Sequence, residues 1–428
     1  MEIFINPPRR DREALCRRGG TDNDRVLDTV EKILEKVKSE GDSALAELAL
    51  SIDGVELESL KVSAQEVDEA TRLVTSELKD AIGQAIANIE AFHRAQVPVE
   101  ITVETQPGVR CMQRPVPIDS VGLYIPGGTA PLFSTVLMLG VPARIAGCRR
   151  VVMCTPCDRQ GRVAAAVLYA ASQCGITEIY KIGGAQAVAA MAYGTETVER
   201  VNKIFGPGNR YVTMAKQIVS TQGTAIDMPA GPSEVMVLAD SSCNPEFVAA
   251  DVLSQCEHGR DSQAIAVCDT PALAEAITEA TARQAAELSR SEFVGQSLSA
   301  SRIVVLSDRK EMIEFANLYA PEHLIISLTD PYNALEGITS AGSVFIGNYS
   351  PESAGDYASG TNHTLPTSGW AASLSGVGTE SFMRRMTVQE ITPKGIVSLA
   401  QTIESMAKAE GLDAHANAVT VRIKSLKE

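Results

Sequence analysis

Ser120-Val121-Gly122-Leu123-Tyr124-Ile125-Pro126-Gly127-Gly128 is the stretch on which the fold class turns. A short apolar run ends in a proline and two glycines, and a helical pattern begins at Pro131. A second apolar run follows at Arg150 to Cys154. The cycle then repeats: a helix over Ala164 to Cys174, a strand over Glu178 to Ile182, the turn Gly183-Gly184, and a helix over Ala185 to Tyr193. Strands alternating with helices in this way predict a parallel sheet with helices on both faces.

The rhythm resumes after Ser233. Val235 to Leu238, Ala264 to Cys268, Ile303 to Leu306, Leu324 to Leu328 and Val344 to Ile346 read as strands with helices between them. Asn244-Pro245-Glu246 supplies an N-cap, a first-position proline and an early acid. Thr270-Pro271 and Asp308 mark further helix starts. Upstream, residues 23 to 93 carry helical periods, with Val26, Val30, Ile33, Leu34 and Val37 on one apolar stripe. Past Tyr349 the chain turns Gly- and Ser-rich to about Gly378 and reads as a long loop. Two helices close it, Ile396 to Ala409 and Asp413 to Ser425, split by Gly411.

A length of 428 residues suggests about two to four domains. A net charge of −15 argues against a protein that coats nucleic acid or an anionic membrane, since both require a basic face. It leaves room for an anionic cofactor held by backbone N–H groups at helix starts. Met1 to Pro8 lacks a basic region followed by an apolar stretch, so no signal peptide is expected. The most apolar stretch, Ala130 to Gly147, contains Ser134, Thr135, Pro142 and Arg144, too polar for a membrane span. Nine scattered cysteines fit free thiols, and the expectation is a soluble cytoplasmic protein. Cys154-Thr155-Pro156-Cys157 lacks a second ligand pair and reads as the end of a buried strand.

Four of the five histidines lie in polar clusters. His258 closes Ser254-Gln255-Cys256-Glu257-His258, His323 follows Pro321-Glu322, His363 follows Asp356 by seven residues, and His415 follows Glu410 by five. Gln255 and His258 are three apart and share a face of the last turn of one helix. They could form half a metal site, or His258 could simply complement the helix dipole. Glu322 and His323 can serve one site only if they lie on an irregular approach to their strand, which Pro321 permits. Each pair alone could be merely solvated. Together, imidazoles, carboxylates and one amide oxygen suit zinc. Gly206-Pro207-Gly208 is not a G-x-G-x-x-G fingerprint. Pro126-Gly127-Gly128 and Ile182-Gly183-Gly184 follow strands and precede helices, where a nucleotide could approach, although tight turns explain them equally well.

Five segments resemble the histidinol dehydrogenase family: Asp227-Met228-Pro229-Ala230-Gly231-Pro232-Ser233-Glu234, Ser254 to Gly259, Ala320 to Leu324, Ser353 to His363, and Glu410 to His415. The resemblance extends over nearly the whole chain. It implies oxidation of L-histidinol to L-histidine with two NAD, through the aldehyde, at the close of histidine biosynthesis. It implies one zinc per subunit, held by Gln255, His258, Asp356 and His415. Substrate contacts fall on Ser233, Gln255, His258, His323, Asp356, His363, Glu410 and His415, and NAD contacts on Tyr124, Gln186 and Asn209. The family is a homodimer whose sites combine both subunits. Glu322 and His323 are then the acid–base pair.

The expected architecture is α/β, with two similar incomplete Rossmann-like parallel-sheet domains, an N-terminal helical segment and a C-terminal helical tail. Its divisions are 1–22 as an N-terminal extension, 23–122 plus 236–380 as the first α/β domain, 123–235 as the NAD-binding domain, and 381–428 as a dimer-swapped tail. Three other readings compete: a relative in the family acting on another small polar alcohol, a zinc hydrolase, and a metal-binding protein without catalysis. The hydrolase reading lacks H-E-x-x-H spacing and leaves two α/β units unexplained.

Overall fold

The computed structural model describes residues 1–19, 23–127, 131–229, 231–288 and 291–427. Gly128 of the quoted turn, Ala230, and residues 20–22 at the end of the expected N-terminal extension lie outside the described residues. The chain forms two compact units, Met1–Gln96 with Ile118–Phe382, and Val97–Pro117 with Met383–Glu428.

The chain opens with strand β1 (Glu2–Ile5), while β2 (Ile101–Gln106) and β3 (Val109–Pro117) belong to the second unit. The quoted stretch forms β4 (Ser120–Tyr124), followed by β5 (Arg150–Thr155), β6 (Glu178–Lys181), β7 (Lys203–Phe205) and β8 (Ala225–Ile226). These five make one parallel sheet in the order β6-β5-β4-β7-β8. A second parallel sheet contains β9 (Glu234–Ala239), β10 (Gln263–Cys268), β11 (Arg302–Val305), β12 (His323–Ser327) and β13 (Ser343–Ile346), in the order β1-β11-β10-β9-β12-β13. Counted along the chain, the five-stranded sheet and strands β9–β13 of the six-stranded sheet, to which β1 adds an edge, both run third, second, first, fourth, fifth. This is the Rossmann half-order, with its switch between the first and fourth strands. The two similar incomplete Rossmann-like sheets expected from the sequence are therefore present. β9 and β10 are buried along their whole length. That explains why they read as unbroken apolar runs: helices cover a parallel sheet on both faces.

The structure departs from the sequence reading in several places. The stripe Val26, Val30, Leu34 and Val37 packs with Tyr124, Val152, Met191 and Val212, in the core of the five-stranded sheet rather than that of residues 236–380. Its helix, Asn23–Glu40, gains about 1.5–3 kcal/mol from each fully buried valine or leucine. Residues 2–5, expected in an extension, form the edge strand beside β11. The segment past Tyr349 contains a short helix, Glu352–Tyr357. Lys203–Phe205, three residues long, gives too little pattern to read as a strand, and the helix Arg210–Ser220, capped by Asn209, is a further element absent from the sequence reading.

The second unit begins its C-terminal portion with β14 (Met383–Ile391), not a helix. β14 pairs antiparallel with β3, and β3 with β2. Thr392 then caps the helix Pro393–Ala409, and Gly411, in the left-handed region, turns the chain into the helix Asp413–Ser425. Among the described residues, no helix is long and apolar enough to cross a membrane.

Candidate active site

The polar clusters of the first unit meet at the amino edge of the six-stranded sheet, where β9 and β12 begin. Asn244 accepts the Glu246 N–H at 3.0 Å and starts the helix Pro245–His258, which stops before Gly259. Its last turn presents Gln255, fully buried, and His258, partly exposed. Among the described residues, neither the amide nitrogen nor the amide oxygen of Gln255 has a hydrogen-bond partner. Asp356 comes from the helix Glu352–Tyr357, and its Oδ2 stands 3.5 Å from His258 Nε2. On the same helix face, one turn earlier, buried Glu352 places Oε1 3.9 Å from His258 Nε2 and 3.7 Å from His323 Nδ1.

Glu322 and His323 do converge. Ala320 has φ +49°, an uncommon conformation for a residue with a side chain, and Pro321 follows it. Gly342 leaves space where a Cβ would come within 2.6 Å of the Glu322 carbonyl oxygen. On this irregular approach both side chains turn inward, with His323 Nδ1 3.7 Å from Glu322 Oε2. Glu322 Oε2 also accepts the Glu234 N–H at 2.9 Å, and the Glu234 carbonyl lies 3.3 Å from His323 Nδ1. His323 Nε2 faces Asp356 Oδ1 at 3.8 Å.

Burial sets the electrostatics. It drives the His323 pKa down to about 4, so the ring is neutral and able to accept a proton. It pushes Glu322 and Glu352 well above the usual carboxylate range, with neighbouring acids adding to the effect. Burial also acts upward on Asp356, but the hydrogen bond from His258 and the nearby His323 and His363 outweigh it and hold Asp356 low. Crowded acids around imidazoles, beside an amide with no partner among the described residues, make a donor set that fits a divalent cation. Ligand atoms of His258, Glu352 and Asp356 lie within 4.8 Å of one another.

His363 joins from the loop. Its Nδ1 meets the Asp356 carbonyl at 2.9 Å, and Nε2 meets Thr135 Oγ1 at 3.2 Å. Thr135 lies in the first turn of the helix Phe133–Ala146, which follows β4. The loop thus ties the cluster to the carboxyl edge of the other sheet. Ser233 is half-buried just ahead of β9 and accepts the Gln263 N–H through its carbonyl at 3.2 Å. Glu410 and His415 are exposed residues of the second unit, flanking Gly411.

Tyr124 ends β4, and its hydroxyl accepts the Gly184 N–H at 3.1 Å. Gln186 is buried in the first turn of the helix Gly184–Tyr193. Asn209 caps the helix Arg210–Ser220 by accepting from Tyr211 and Val212 N–H groups at 3.0 and 3.2 Å. Gly206, with φ +127°, lets β7 end against β4, since a Cβ there would lie 2.1 Å from the Tyr124 carbonyl oxygen. Tyr124 and Asn209 therefore flank the switch between β4 and β7. A cavity of about 470 Å³ opens nearby, lined by Pro126, Gly127, Thr155, Pro156, Asp158 and Glu69, and not at the histidine cluster.

Comparison with known proteins gives the family. The family model described as histidinol dehydrogenase matches residues 16–423. The chain belongs to the histidinol dehydrogenase family. It is an oxidoreductase of histidine biosynthesis. A histidinol dehydrogenase of Bacteroides thetaiotaomicron is 52% identical over 427 residues, covering 100% of both chains. One of Escherichia coli is 53% identical over 419 residues, covering 97% of this chain and 96% of the other. The crystal structure of the Elizabethkingia anophelis histidinol dehydrogenase superposes with a TM-score of 0.97 at 49% identity, over 100% of this chain and 99% of that one.

Within this member of the histidinol dehydrogenase family, sequence reasoning missed Glu352, Glu234 and Thr135 as neighbours of the site. The spacing of Glu352 and Asp356, four apart, was a usable signal, but only once the segment was known to be helical.

Proposed function

We propose that this protein catalyses the zinc-dependent oxidation of L-histidinol to L-histidine through L-histidinal, using two NAD. The observation that carries the reading is the group of partly exposed His258, buried Asp356 and the buried Gln255 amide, without a partner among the described residues, set against the Glu322–His323 pair in a chain of the histidinol dehydrogenase family. Gln255, His258, Asp356 and His415 would hold the zinc, in a homodimer whose sites combine residues of both subunits. When bound, the ion supplies positive charge that fixes the amine, imidazole and carbinol of the substrate. NAD, at Tyr124, Gln186 and Asn209, supplies the hydride acceptor. The Rossmann half-order, with two of these residues at its switch point, supports that location.

The chain's own groups carry the proton work. A carbonyl oxygen can only accept, so the Glu234 carbonyl selects the His323 tautomer protonated at Nδ1 and leaves Nε2 as the base. Nε2 takes the hydroxyl proton as the alcohol is oxidised. Glu322 takes a proton from the water that hydrates the aldehyde. Ser233, His363 and Glu410 would read the substrate's polar groups. The test is NADH formed per L-histidinol consumed, with and without chelator. Two per substrate, abolished by chelation and restored by zinc, is the expected result. Turnover indifferent to chelation, or one NADH per substrate, would overturn the reading.

A further inference from the structure

Behind Glu322 and His323 lies a polar layer that the reaction above does not use. Arg18, three residues past the helix Arg9–Leu15, donates to both carboxylate oxygens of Glu234, from Nε at 2.6 Å and Nη2 at 2.9 Å. Nη2 also donates to the Tyr319 carbonyl at 2.7 Å, and the guanidinium carbon lies 4.0 Å from the centre of the Tyr319 ring. The Tyr319 hydroxyl reaches Glu234 Oε2 at 3.2 Å and Gln263 Oε1 at 2.8 Å. Glu234 is buried at the head of β9. Its side chain is therefore fixed from one side, while its N–H and carbonyl hold Glu322 and His323 on the other.

We infer that Arg18 is a positioning residue for the Glu322–His323 pair, acting through the backbone of Glu234. The inference rests on the acid–base roles proposed above. A bidentate guanidinium–carboxylate pair is directional and fixes its partner in angle as well as distance. Tyr319, stacked under the guanidinium, closes the clamp. Glu234 then sets two things at once: which nitrogen of His323 carries the proton, and where the Glu322 carboxyl stands. Without Arg18 the Glu234 carboxylate would be a buried charge lacking its cation, beside a second acid. The head of β9 would have to shift to reach water, and both catalytic groups would move with it. Among the described residues, the contacts of Arg18 fall on Glu234 and Tyr319, not on proposed metal ligands or substrate groups, so its loss should leave binding largely intact.

The test uses the full-length, zinc-loaded protein. Arg18→Gln should lower kcat about 10–100-fold, the usual cost of displacing catalytic groups by about an ångström. KM for histidinol and zinc content should stay within twofold of wild type. Arg18→Lys restores the charge but not the fork, and should recover part of the lost kcat. Glu234→Gln, nearly isosteric, loosens the clamp from the other side and should lower kcat in the same way, by less. A folded Arg18→Gln with kcat within twofold of wild type would refute the inference. So would a kcat loss matched by equal loss of zinc or of folded protein, or failure of all three variants to fold with zinc, since the clamp would then be a folding element only. A His323→Asn variant with wild-type kcat would instead remove the underlying acid–base reading.

Discussion

His258 Nε2 and Asp356 Oδ2 stand 3.5 Å apart, on two helices whose ends meet at the amino edge of the six-stranded sheet. The contact brings a ring nitrogen and a low-lying carboxylate together where the neighbouring acids favour positive charge. Replacing His258 by Asn removes one proposed ligand and the hydrogen bond that helps keep Asp356 ionised. The variant should lose zinc and activity together, measured as metal per subunit after dialysis and as NADH formation. Full metal content in the variant would refute the ligand assignment.

Glu322 and His323 should separate by reaction stage. His323→Asn should lower kcat for histidinol by about 10²–10⁴-fold, the usual contribution of a positioned base, while zinc is retained. Glu322→Gln should damage the oxidation of L-histidinal more than that of L-histidinol, because only the aldehyde stage needs activated water. The check is to assay the two substrates separately. Equal damage to both stages would deprive Glu322 of its special role.

Asp251, one turn before Gln255, has its pKa raised by burial to about 7, with the Glu352 N–H pulling the other way. The unfolded value is about 3.9. Below that, both states hold the proton and this group costs no stability. Between about 4 and 7 the unfolded chain releases its proton while the folded chain keeps it, so stability falls as pH rises, and the loss is complete above about 7. Asp251→Asn should therefore gain Tm over wild type as pH rises from 5 to 8, both proteins being zinc-loaded. A pH-independent Tm difference would contradict the shift.

The alternation from Ser120 to Tyr193 and from Val235 to Ile346 was legible because buried parallel strands leave apolar runs bounded by glycine, proline and caps. The convergence of Glu322 with His323 was legible only as a condition on Pro321, which the positive φ of Ala320 and the space at Gly342 satisfy. What could not be read was which sheet the 23–40 helix covers, since an apolar stripe does not name its partner. The helix Glu352–Tyr357 was hidden for another reason. Six residues with two small ones and a glycine carry almost no helical period, so the stretch resembled the loop around it.

That concealed turn leads to a prediction about Glu352. Both its carboxylate oxygens are buried without a hydrogen-bond partner among the described residues, and Asp356, Glu322 and Asp251 reinforce the effect of burial in holding its pKa high. In the metal-free protein such a group is a cost, and Glu352→Gln should leave the apo Tm equal to or above wild type. With zinc added the balance reverses. A carboxylate close to the His258 and Asp356 ligand atoms favours the cation, and loss of such a neighbour usually lowers metal affinity about 10–100-fold. The gain in Tm on adding zinc should therefore be smaller for Glu352→Gln than for wild type at the same zinc concentration, because a ligand stabilises the fold in proportion to the logarithm of its concentration over Kd. Unfolding curves of the two proteins, each with and without zinc, decide the matter. An equal zinc-dependent gain would mean that Glu352 takes no part in holding the ion, and its burial would need another explanation.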